Sequence, residues 1–184
     1  MWLICGLGNP GKKYEFTRHN IGYEIVDSLI KFYQFDLFKK DKDKILYRGK
    51  IDSKECYFCK PLSYMNLSGL PIGKVSKYFK IPKSKIIIIH DDLDLNIGKI
   101  KIKTGGGNGG HNGLLSIDKI IGKSYKRIRV GIGHPGSKEL VSGYVLKKFL
   151  NEEKKLINKK IKILTENFKL VFDDHNLLVT KIAL

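Results

Sequence analysis

The sequence has few acidic residues, few cysteines and no long apolar segment. Asp and Glu number 18 against 35 Lys and Arg, so the formal net charge is +17. No stretch reaches the roughly 18 consecutive apolar residues that a membrane-spanning helix requires, and the N-terminus lacks a basic region followed by an apolar run. These absences predict a cytoplasmic protein with no membrane anchor and no secretion signal.

The chain also lacks the usual signatures of metal and redox centres. Cys5, Cys56 and Cys59 are odd in number, which favours reduced thiols over a disulfide framework. Cys56 and Cys59 have C-x-x-C spacing, but residues three apart in an extended segment point to opposite faces. The five histidines show no ligand spacing, and H-E-x-x-H is missing. We therefore expect no metal, and we interpret the cysteines as core residues of strands.

The excess of positive charge favours a polyanionic partner. Lys and Arg side chains that neutralise phosphates release counterions, which drives nucleic acid binding whatever the base sequence. The alternative is a lysine-rich solvated surface, since Lys, Ile and Asn are all abundant, as nucleotide bias in a genome would make them.

A glycine-rich segment follows a short apolar run near the N-terminus. Residues 3–7 predict a buried strand, and Gly6-Leu-Gly-Asn-Pro-Gly11 predicts a tight loop after it. Thr17 is a candidate N-cap, and the apolar spacing over residues 21–33 predicts a helix. His19 is then expected in the first helical turn, where unpaired N–H groups disfavour positive charge and would keep the imidazole neutral. A capping or packing histidine is the alternative.

The same loop partly matches two nucleotide-binding motifs. Residues 6–11 fit G-x-G-x-x-G, and residues 6–12 fit a P-loop in which Lys13 replaces the final Ser or Thr. The dinucleotide motif starts its helix inside the glycines, whereas the helical pattern here begins only near Thr17. Lys13 offers no hydroxyl to Mg²⁺. A nucleotide-binding enzyme is therefore kept only as an alternative.

Strands and helices alternate along the rest of the chain. Strands are predicted at 47–51, 55–60, 86–89, 99–103 and 127–132, with a charged loop at 39–44. Helices are predicted near 69–79, 114–121, 137–149 and from a cap at Asn151 through Val171. This alternation predicts one domain over residues 1–184, an α/β fold with a twisted, mixed, mostly parallel β-sheet flanked by helices.

Polar residues follow several predicted strands, where open α/β sheets bind ligands. Asp91 follows the strand 86–89 and could accept a hydrogen bond from His19, which would make the other ring nitrogen more basic. Asn9, Asn66 and Asn112 carry amides that can hold a peptide backbone and an oxyanion. Ordinary turn and cap residues are the alternative. Because G-x-S-x-G is absent, a hydrolase built here would activate water with His19.

Six blocks of the sequence together resemble the bacterial peptidyl-tRNA hydrolase family. They are Gly6–Gly11, Thr17–Asn20, Met65–Gly69, His90–Asp94, Gly105–Gly113 and Arg129–Gly136. The resemblance implies a monomeric α/β domain that cleaves the ester between a stranded peptide and tRNA. It also implies that this reaction needs no metal or cofactor, so peptidyl-tRNA is the expected partner.

The resemblance also implies catalytic and peptide-binding residues. His19 matches the base that activates water, and Asp91 matches its orienting partner. Asn9, Asn66 and Asn112 match positions that bind the peptide backbone and support the reacting carbonyl, so Asn9 joins His19 and Asp91 as a predicted catalytic residue.

Further matching positions concern the tRNA and the cleft wall. Lys103 and Arg129 match basic positions that grip the tRNA 5′-phosphate region, and Lys138 matches another that supports tRNA binding. Tyr14 and Tyr64 match aromatic positions that line the cleft.

Asn108 departs from the family pattern, which often has His or Arg within the glycine-rich segment. An amide supplies no positive charge, so tRNA contact there would be weaker or would shift to nearby lysines. A non-catalytic RNA-binding module remains the main alternative to the hydrolase.

Overall fold

One sheet of seven strands runs through the computed structural model, which describes residues 1–183. The strands are β1 (Trp2–Gly6), β2 (Asp36–Lys40), β3 (Lys44–Ile51), β4 (Lys54–Pro61), β5 (Ile86–Asp92), β6 (Ile100–Thr104) and β7 (Lys126–Gly131). Their order across the sheet is β2-β3-β4-β1-β5-β7-β6. The inner strands β4, β1, β5 and β7 run parallel, and the remaining pairs are antiparallel. The predicted mixed sheet is therefore confirmed, with a parallel core.

Helices cover both faces of this sheet. They are α1 (Ile21–Tyr33), α2 (Gly69–Tyr78), α3 (Asn112–Ile121), α4 (Val141–Val145), α5 (Asn151–Glu166), α6 (Leu170–Asp173) and α7 (His175–Ala183). One hydrophobic core contains side chains of α1, α5, α6 and α7, and a second contains those of α2 and α3. Within residues 1–183, none of the helices has the length and apolar character needed to cross a bilayer.

The centre of the sheet is buried on both sides. Ile87 and Ile89 of β5 belong to the first core and Ile86 and Ile88 to the second, as the run of four isoleucines predicts. Cys56 and Cys59 likewise lie in different cores, and all three cysteines are free and buried. Opposite-facing side chains on one strand cannot share a ligand, so the C-x-x-C spacing here is a packing pattern.

Helix α1 lies directly against the backbone of β1 and β5. A Cβ atom on Gly22 would come within 2.4 Å of the Ile89 carbonyl oxygen and of the Leu7 amide nitrogen. A Cβ atom on Gly6 would come within 2.1 Å of the Gly22 carbonyl oxygen. Only glycine permits so close an approach at both positions, and the approach holds the start of α1 at the carboxyl end of β1.

Two expectations near the N-terminal half are wrong. Lys39 and Lys40, predicted in a loop, belong to β2, which pairs with β3 through a bulge between Leu37 and Lys39. Tertiary pairing with β3 here overrides the high local charge. Thr17 does not cap α1, because its hydroxyl donates to the Tyr14 carbonyl (2.7 Å) and a 3₁₀ turn, Arg18–Asn20, precedes the helix.

Three expectations near the C-terminus are also wrong. The helix predicted from Ser137 to Phe149 is only a 3₁₀ turn, Lys138–Leu140, followed by the short α4. Asn151 is the first residue of α5 and not its cap; the carboxylate of Glu153 accepts from the Leu150 N–H at that end. The chain also turns after Glu166, so Phe168 and Val171 fall outside α5, although both are fully buried as their periodicity indicates.

Candidate active site

A cavity of about 710 Å³ lies among the ends of β5, the strands β6 and β7, and the glycine-rich segment 105–113. Six of the ten predicted site residues line it: His19, Asp91, Lys103, Asn112, Arg129 and Lys138. The other four, Asn9, Tyr14, Tyr64 and Asn66, lie around a 3₁₀ turn at Met65–Leu67. The structure thus divides the predicted residues between a cavity and an adjoining turn.

His19 and Asp91 are in direct contact. The Nδ1 atom of His19 lies 2.9 Å from both carboxylate oxygens of Asp91. The side chains are 12% and 3% exposed, respectively. The hydrogen bond expected from the sequence is therefore present, in surroundings that largely exclude water.

His111 is a second histidine on the same carboxylate. Its Nε2 atom lies 2.9 Å from the Oδ1 atom of Asp91. Its Nδ1 atom accepts hydrogen bonds from the backbone N–H groups of Gly113 (3.1 Å) and Leu114 (3.3 Å), so the side chain caps α3. An Nδ1 atom that accepts a hydrogen bond has no proton, so the ring proton is on Nε2, and this N–H group donates a hydrogen bond to Asp91. His111 is therefore fixed as a hydrogen-bond donor to Asp91.

This arrangement also assigns the protons of His19. Burial raises the pKa of Asp91, but the charge of a protonated His19 and the hydrogen bonds from His19 and His111 outweigh burial and hold this pKa far below the usual range, so Asp91 is ionised. The Nδ1–H group of His19 donates to that carboxylate, which leaves Nε2 as the free position on the ring. A lone pair is available there whenever the imidazole is neutral.

The pKa of His19 differs from the sequence-based expectation. Burial acts to lower this pKa, but the charge of Asp91 and its hydrogen bond together outweigh burial and raise the pKa above the ordinary value. The expected helix-terminus effect does not dominate, because His19 precedes α1 in a 3₁₀ turn and faces a carboxylate. The imidazole is consequently a stronger base than a free histidine.

The residues on either side of His19 fix its backbone. Arg18 is buried, and its guanidinium donates to Glu153 (2.6 Å) and to the Lys148 carbonyl (2.8 Å). The Asn20 side chain accepts from the Asn9 N–H (2.8 Å) and donates to the Asn9 carbonyl (2.9 Å). His19 is thus anchored to α5 through one neighbour and to the loop after β1 through the other.

Asn9 connects the cavity to the turn at Met65–Leu67. Its Oδ1 atom accepts from the Met65 N–H (2.8 Å), which leaves the Nδ2 group as a donor. Asn66 is exposed on that turn. Tyr64 is 56% exposed, and its ring meets the edge of Tyr14 at a centroid distance of 6.5 Å. An amide donor and two aromatic rings therefore lie together at this turn.

The basic residues of the cavity differ in their partners. The Nε atom of Arg129 donates to the Oδ2 atom of Asp92 (2.7 Å), a contact absent from the sequence-based interpretation. Lys103 and Lys138 are exposed, and neither takes part in an ion pair within residues 1–183. The two lysines are therefore the freer positive charges of this wall.

The ligand atoms of His19, Asp91 and His111 lie within 4.8 Å of one another. Two imidazoles and a carboxylate are ligands that transition metals accept. The three residues are far apart in the sequence, so their spacing did not reveal that they form a group with the composition of a metal site. The hydrogen bonds described above account for the positions of all three side chains.

Sequence reasoning did not assign roles to His111, Asn20 or Asp92. His111 and Asp92 stand beside predicted site residues, and Asn20 belongs to the Thr17–Asn20 block, so position alone was a signal. Their contacts depend on the path of the glycine-rich segment and on the register between β5 and β7, which pairs His90 with Arg129.

Comparisons with known proteins point to one family. The family model described as "Peptidyl-tRNA hydrolase" matches residues 3–182. A peptidyl-tRNA hydrolase of Rickettsia bellii (strain RML369-C) is 52% identical over 155 residues, 83% of each chain. One of Wolbachia pipientis wMel is 46% identical over 151 residues, 82% of this chain and 83% of the relative. The crystal structure of peptidyl-tRNA hydrolase from Acinetobacter baumannii superposes with a TM-score of 0.93 at 43% identity, covering 99% of this chain and 94% of that one.

Proposed function

Because the chain belongs to the peptidyl-tRNA hydrolase family, whose members are carboxylic ester hydrolases, we propose that His19 activates water to cleave the ester of peptidyl-tRNA. The observation that carries the proposal is the contact of His19 with an ionised, buried Asp91 in a cavity that also contains exposed lysines. Peptides and N-blocked aminoacyl groups are the proposed acyl parts of the substrate, and free tRNA is a product.

The first step is proton transfer from water to the Nε2 atom of His19. The oxygen of that water attacks the ester carbonyl carbon, and the carbonyl π electrons move to its oxygen. The imidazolium that forms lies against the Asp91 carboxylate, which stabilises the positive charge. The raised pKa of His19 reflects the same stabilisation.

The second step is collapse of the tetrahedral intermediate. The bond from carbon to the ribose oxygen breaks, and His19 returns its proton to that oxygen. The products are a peptide with a free carboxyl group and a tRNA with a free terminal hydroxyl. Atoms and charges balance without a metal or a cofactor, and we propose that neither takes part.

Amide groups are proposed to bind the acyl part. Asn9 keeps its Nδ2 group as a donor for the reacting carbonyl oxygen, where negative charge develops. Asn112 is exposed at the first position of α3, and Asn66 is exposed on the neighbouring turn. The rings of Tyr14 and Tyr64 would then contact the peptide side chains.

Positive side chains are proposed to bind the tRNA phosphates. Lys103, Arg129 and Lys138 line the cavity, and the net charge of +17 favours the same partner. We further propose that residues 1–184 act as a single domain and a monomer. Since peptidyl-tRNA is made by ribosomes, the proposed place of action is the cytoplasm.

The experiment compares the wild type with His19→Ala and with His175→Ala, which alters an exposed histidine at the start of α7. Each protein is mixed with N-acetylated aminoacyl-tRNA, and with the unblocked form, in the presence of a chelator. Wild type and His175→Ala are expected to cleave the blocked substrate selectively. His19→Ala is expected to be slower by at least about a hundredfold, which is the lower end of the range that a general base contributes.

Binding of tRNA is measured in parallel and is expected to be nearly unchanged in His19→Ala. A large loss of binding in that variant would mean that His19 is structural. Binding without cleavage by the wild type would favour an RNA-binding module. Loss of wild-type activity on adding the chelator would contradict the metal-free mechanism.

A further inference from the structure

The glycine-rich loop of residues 105–110 has almost no side chains with which to hold its shape. Positive φ angles occur at Gly105 (71°), Gly106 (94°), Gly109 (57°) and Gly110 (77°). Its one longer side chain, Asn108, accepts from the Gly110 N–H at 3.1 Å and so shapes only the end of the loop. Glycine carries the largest conformational entropy, so a defined path for this loop needs support from outside it.

That support comes from Arg127, on β7 beneath the loop. The NH1 atom of Arg127 donates to the Gly107 carbonyl (2.7 Å), and the NH2 atom donates to the Gly106 carbonyl (2.9 Å). The two bonds use the fork of the guanidinium, which a lysine ammonium cannot reproduce. Arg127 is 2% exposed, so these bonds are shielded from water.

A buried network holds the guanidinium in place. The NH2 atom of Arg127 lies 3.4 Å from the Oδ1 atom of Asp118, which also accepts from the Tyr125 hydroxyl at 2.8 Å. The Tyr125 ring lies 4.8 Å from the guanidinium carbon. A buried ion pair is costly to form, and apolar side chains of similar size often stabilise a core as well. Apolar side chains, however, could not donate hydrogen bonds to the loop carbonyl groups, and Arg127 does.

The loop connects this network to the cavity. Lys103 passes beneath Gly106, where a Cβ atom would lie 2.5 Å from its Nζ atom. The loop residues 107–110 line the same cavity as Lys103 and lead directly into His111, which donates to Asp91. The conformation of the loop therefore bears on the position of a free lysine and on the cap of α3.

We infer that Arg127 is a positioning residue, which holds the loop of residues 105–110 so that Lys103 and the start of α3 face the substrate. The inference rests on the proposed function for the benefit to catalysis, but not for the contact itself. Arg127 borders the cavity, but its guanidinium is nearly buried and already donates to two carbonyl groups and a carboxylate. Arg127 is thus assigned to the loop, whereas Arg129 is proposed to bind a tRNA phosphate.

The test uses Arg127→Lys, Arg127→Met and the matched control Tyr125→Phe. Lysine retains the charge beside Asp118 without the fork, methionine removes the charge, and the control removes one hydroxyl from the network while leaving both carbonyl bonds. Amide hydrogen exchange is followed in residues 105–110 and, as an internal reference for the core, in residues 86–92. The kcat and KM for N-acetylated aminoacyl-tRNA are measured on the same samples.

Both Arg127 variants are expected to exchange at least about tenfold faster in the loop, with exchange in residues 86–92 unchanged, because local opening becomes easier without global unfolding. KM is expected to rise more than kcat falls, and Tyr125→Phe is expected to resemble the wild type in both measurements. Because exchange needs no substrate, it reports on the loop even if the wild type cleaves nothing.

Three results would overturn the inference. Loop exchange like that of the wild type in both Arg127 variants would show that the carbonyl contacts do not hold the loop. Faster exchange in the loop and in residues 86–92 alike would make Arg127 a residue of global stability. A loosened loop with unchanged kcat and KM would remove its connection to the reaction.

Discussion

Among the residues that line the cavity, His19, Asp91 and His111 form a nearly buried group bound to one another, whereas Lys103 and Lys138 belong to an exposed, basic group. The first group consists of charges and dipoles whose partners lie within the protein. The second consists of positive charges that form no ion pair within residues 1–183. Arg129 is intermediate, since it lines the same wall but pairs with Asp92.

The difference separates two physical tasks. Proton transfer needs fixed distances, and burial both fixes them and strengthens each electrostatic interaction. Phosphate binding needs charges that solvent and counterions can reach, and its strength falls steeply with salt. Mutations in the buried group are therefore expected to change the rate, and mutations in the basic group are expected to change the affinity for tRNA.

Asp91→Asn tests the buried group and is expected to have the largest effect. The amide keeps the shape of the side chain but not the charge that raises the pKa of His19. We expect kcat to fall by at least about a hundredfold. Since the active form has neutral His19, the rate rises with pH through that pKa, and a lower pKa moves the rise to lower pH.

The measurement is the pH profile of kcat/KM for the variant and the wild type. A profile that moves to higher pH, or that stays in place, would contradict the assignment of His19 as the base paired with Asp91. Affinity for tRNA should stay close to that of the wild type.

Arg129→Ala and Asp92→Asn test the basic group and are expected to change tRNA affinity in opposite directions. Removing Arg129 is expected to weaken tRNA binding by about tenfold, roughly the 1.5 kcal/mol of one charged hydrogen bond. It should also reduce the slope of log affinity against log salt by about one. Asp92→Asn releases Arg129 from its ion pair, so binding should become tighter.

Equilibrium tRNA binding is measured for both variants between low and moderate salt. An unchanged slope in Arg129→Ala would remove Arg129 from the phosphate site. Weaker binding in Asp92→Asn would mean that the ion pair orients Arg129 for phosphate and does not compete with it.

His90→Asn is expected to change stability and to have the smallest effect on activity. His90 is fully buried beside His111, and burial lowers its pKa to about 3, while its Nδ1–H donates to the Asp91 carbonyl. Below about pH 6.5 the unfolded chain binds a proton here that the folded protein does not, so stability falls as pH decreases toward 3. An asparagine amide retains the donor without the titration.

Unfolding free energy is therefore expected to fall less steeply in His90→Asn between pH 6 and 4, by up to about 1.4 kcal/mol per pH unit. His19 has the opposite sign, since its raised pKa adds stability that is complete below about pH 6.5 and is lost as the pH rises through the folded-state pKa. Equal slopes in variant and wild type would mean that His90 is protonated in the folded protein.

Periodicity and turn residues were enough to predict the core of the fold. The four isoleucines of β5 are buried on both faces as predicted, and the hydrogen bond of Asp91 to His19 follows from their places at the carboxyl ends of β5 and β1. The edge strand β2 could not be predicted, because its charged residues are in strand conformation only through pairing with β3.

Contacts that depend on loop path and register were also out of reach. The bond of His111 to Asp91 depends on the route of residues 105–110, which glycine leaves locally undetermined. The pair Arg129–Asp92 depends on the register of β7 against β5. The roles of the ten predicted site residues remain predictions.

Lysines on the two outermost strands of the sheet have a consequence for self-association. Lys39 and Lys40 lie on β2 and Lys101 and Lys103 on β6, all of them exposed. An open strand edge is a template onto which another molecule can extend the sheet, and edge lysines and bulges oppose this. A second copy that approached either edge would bring positive charge against positive charge. The exposed lysines of the edge strands therefore protect a concentrated solution of this protein against edge-to-edge aggregation.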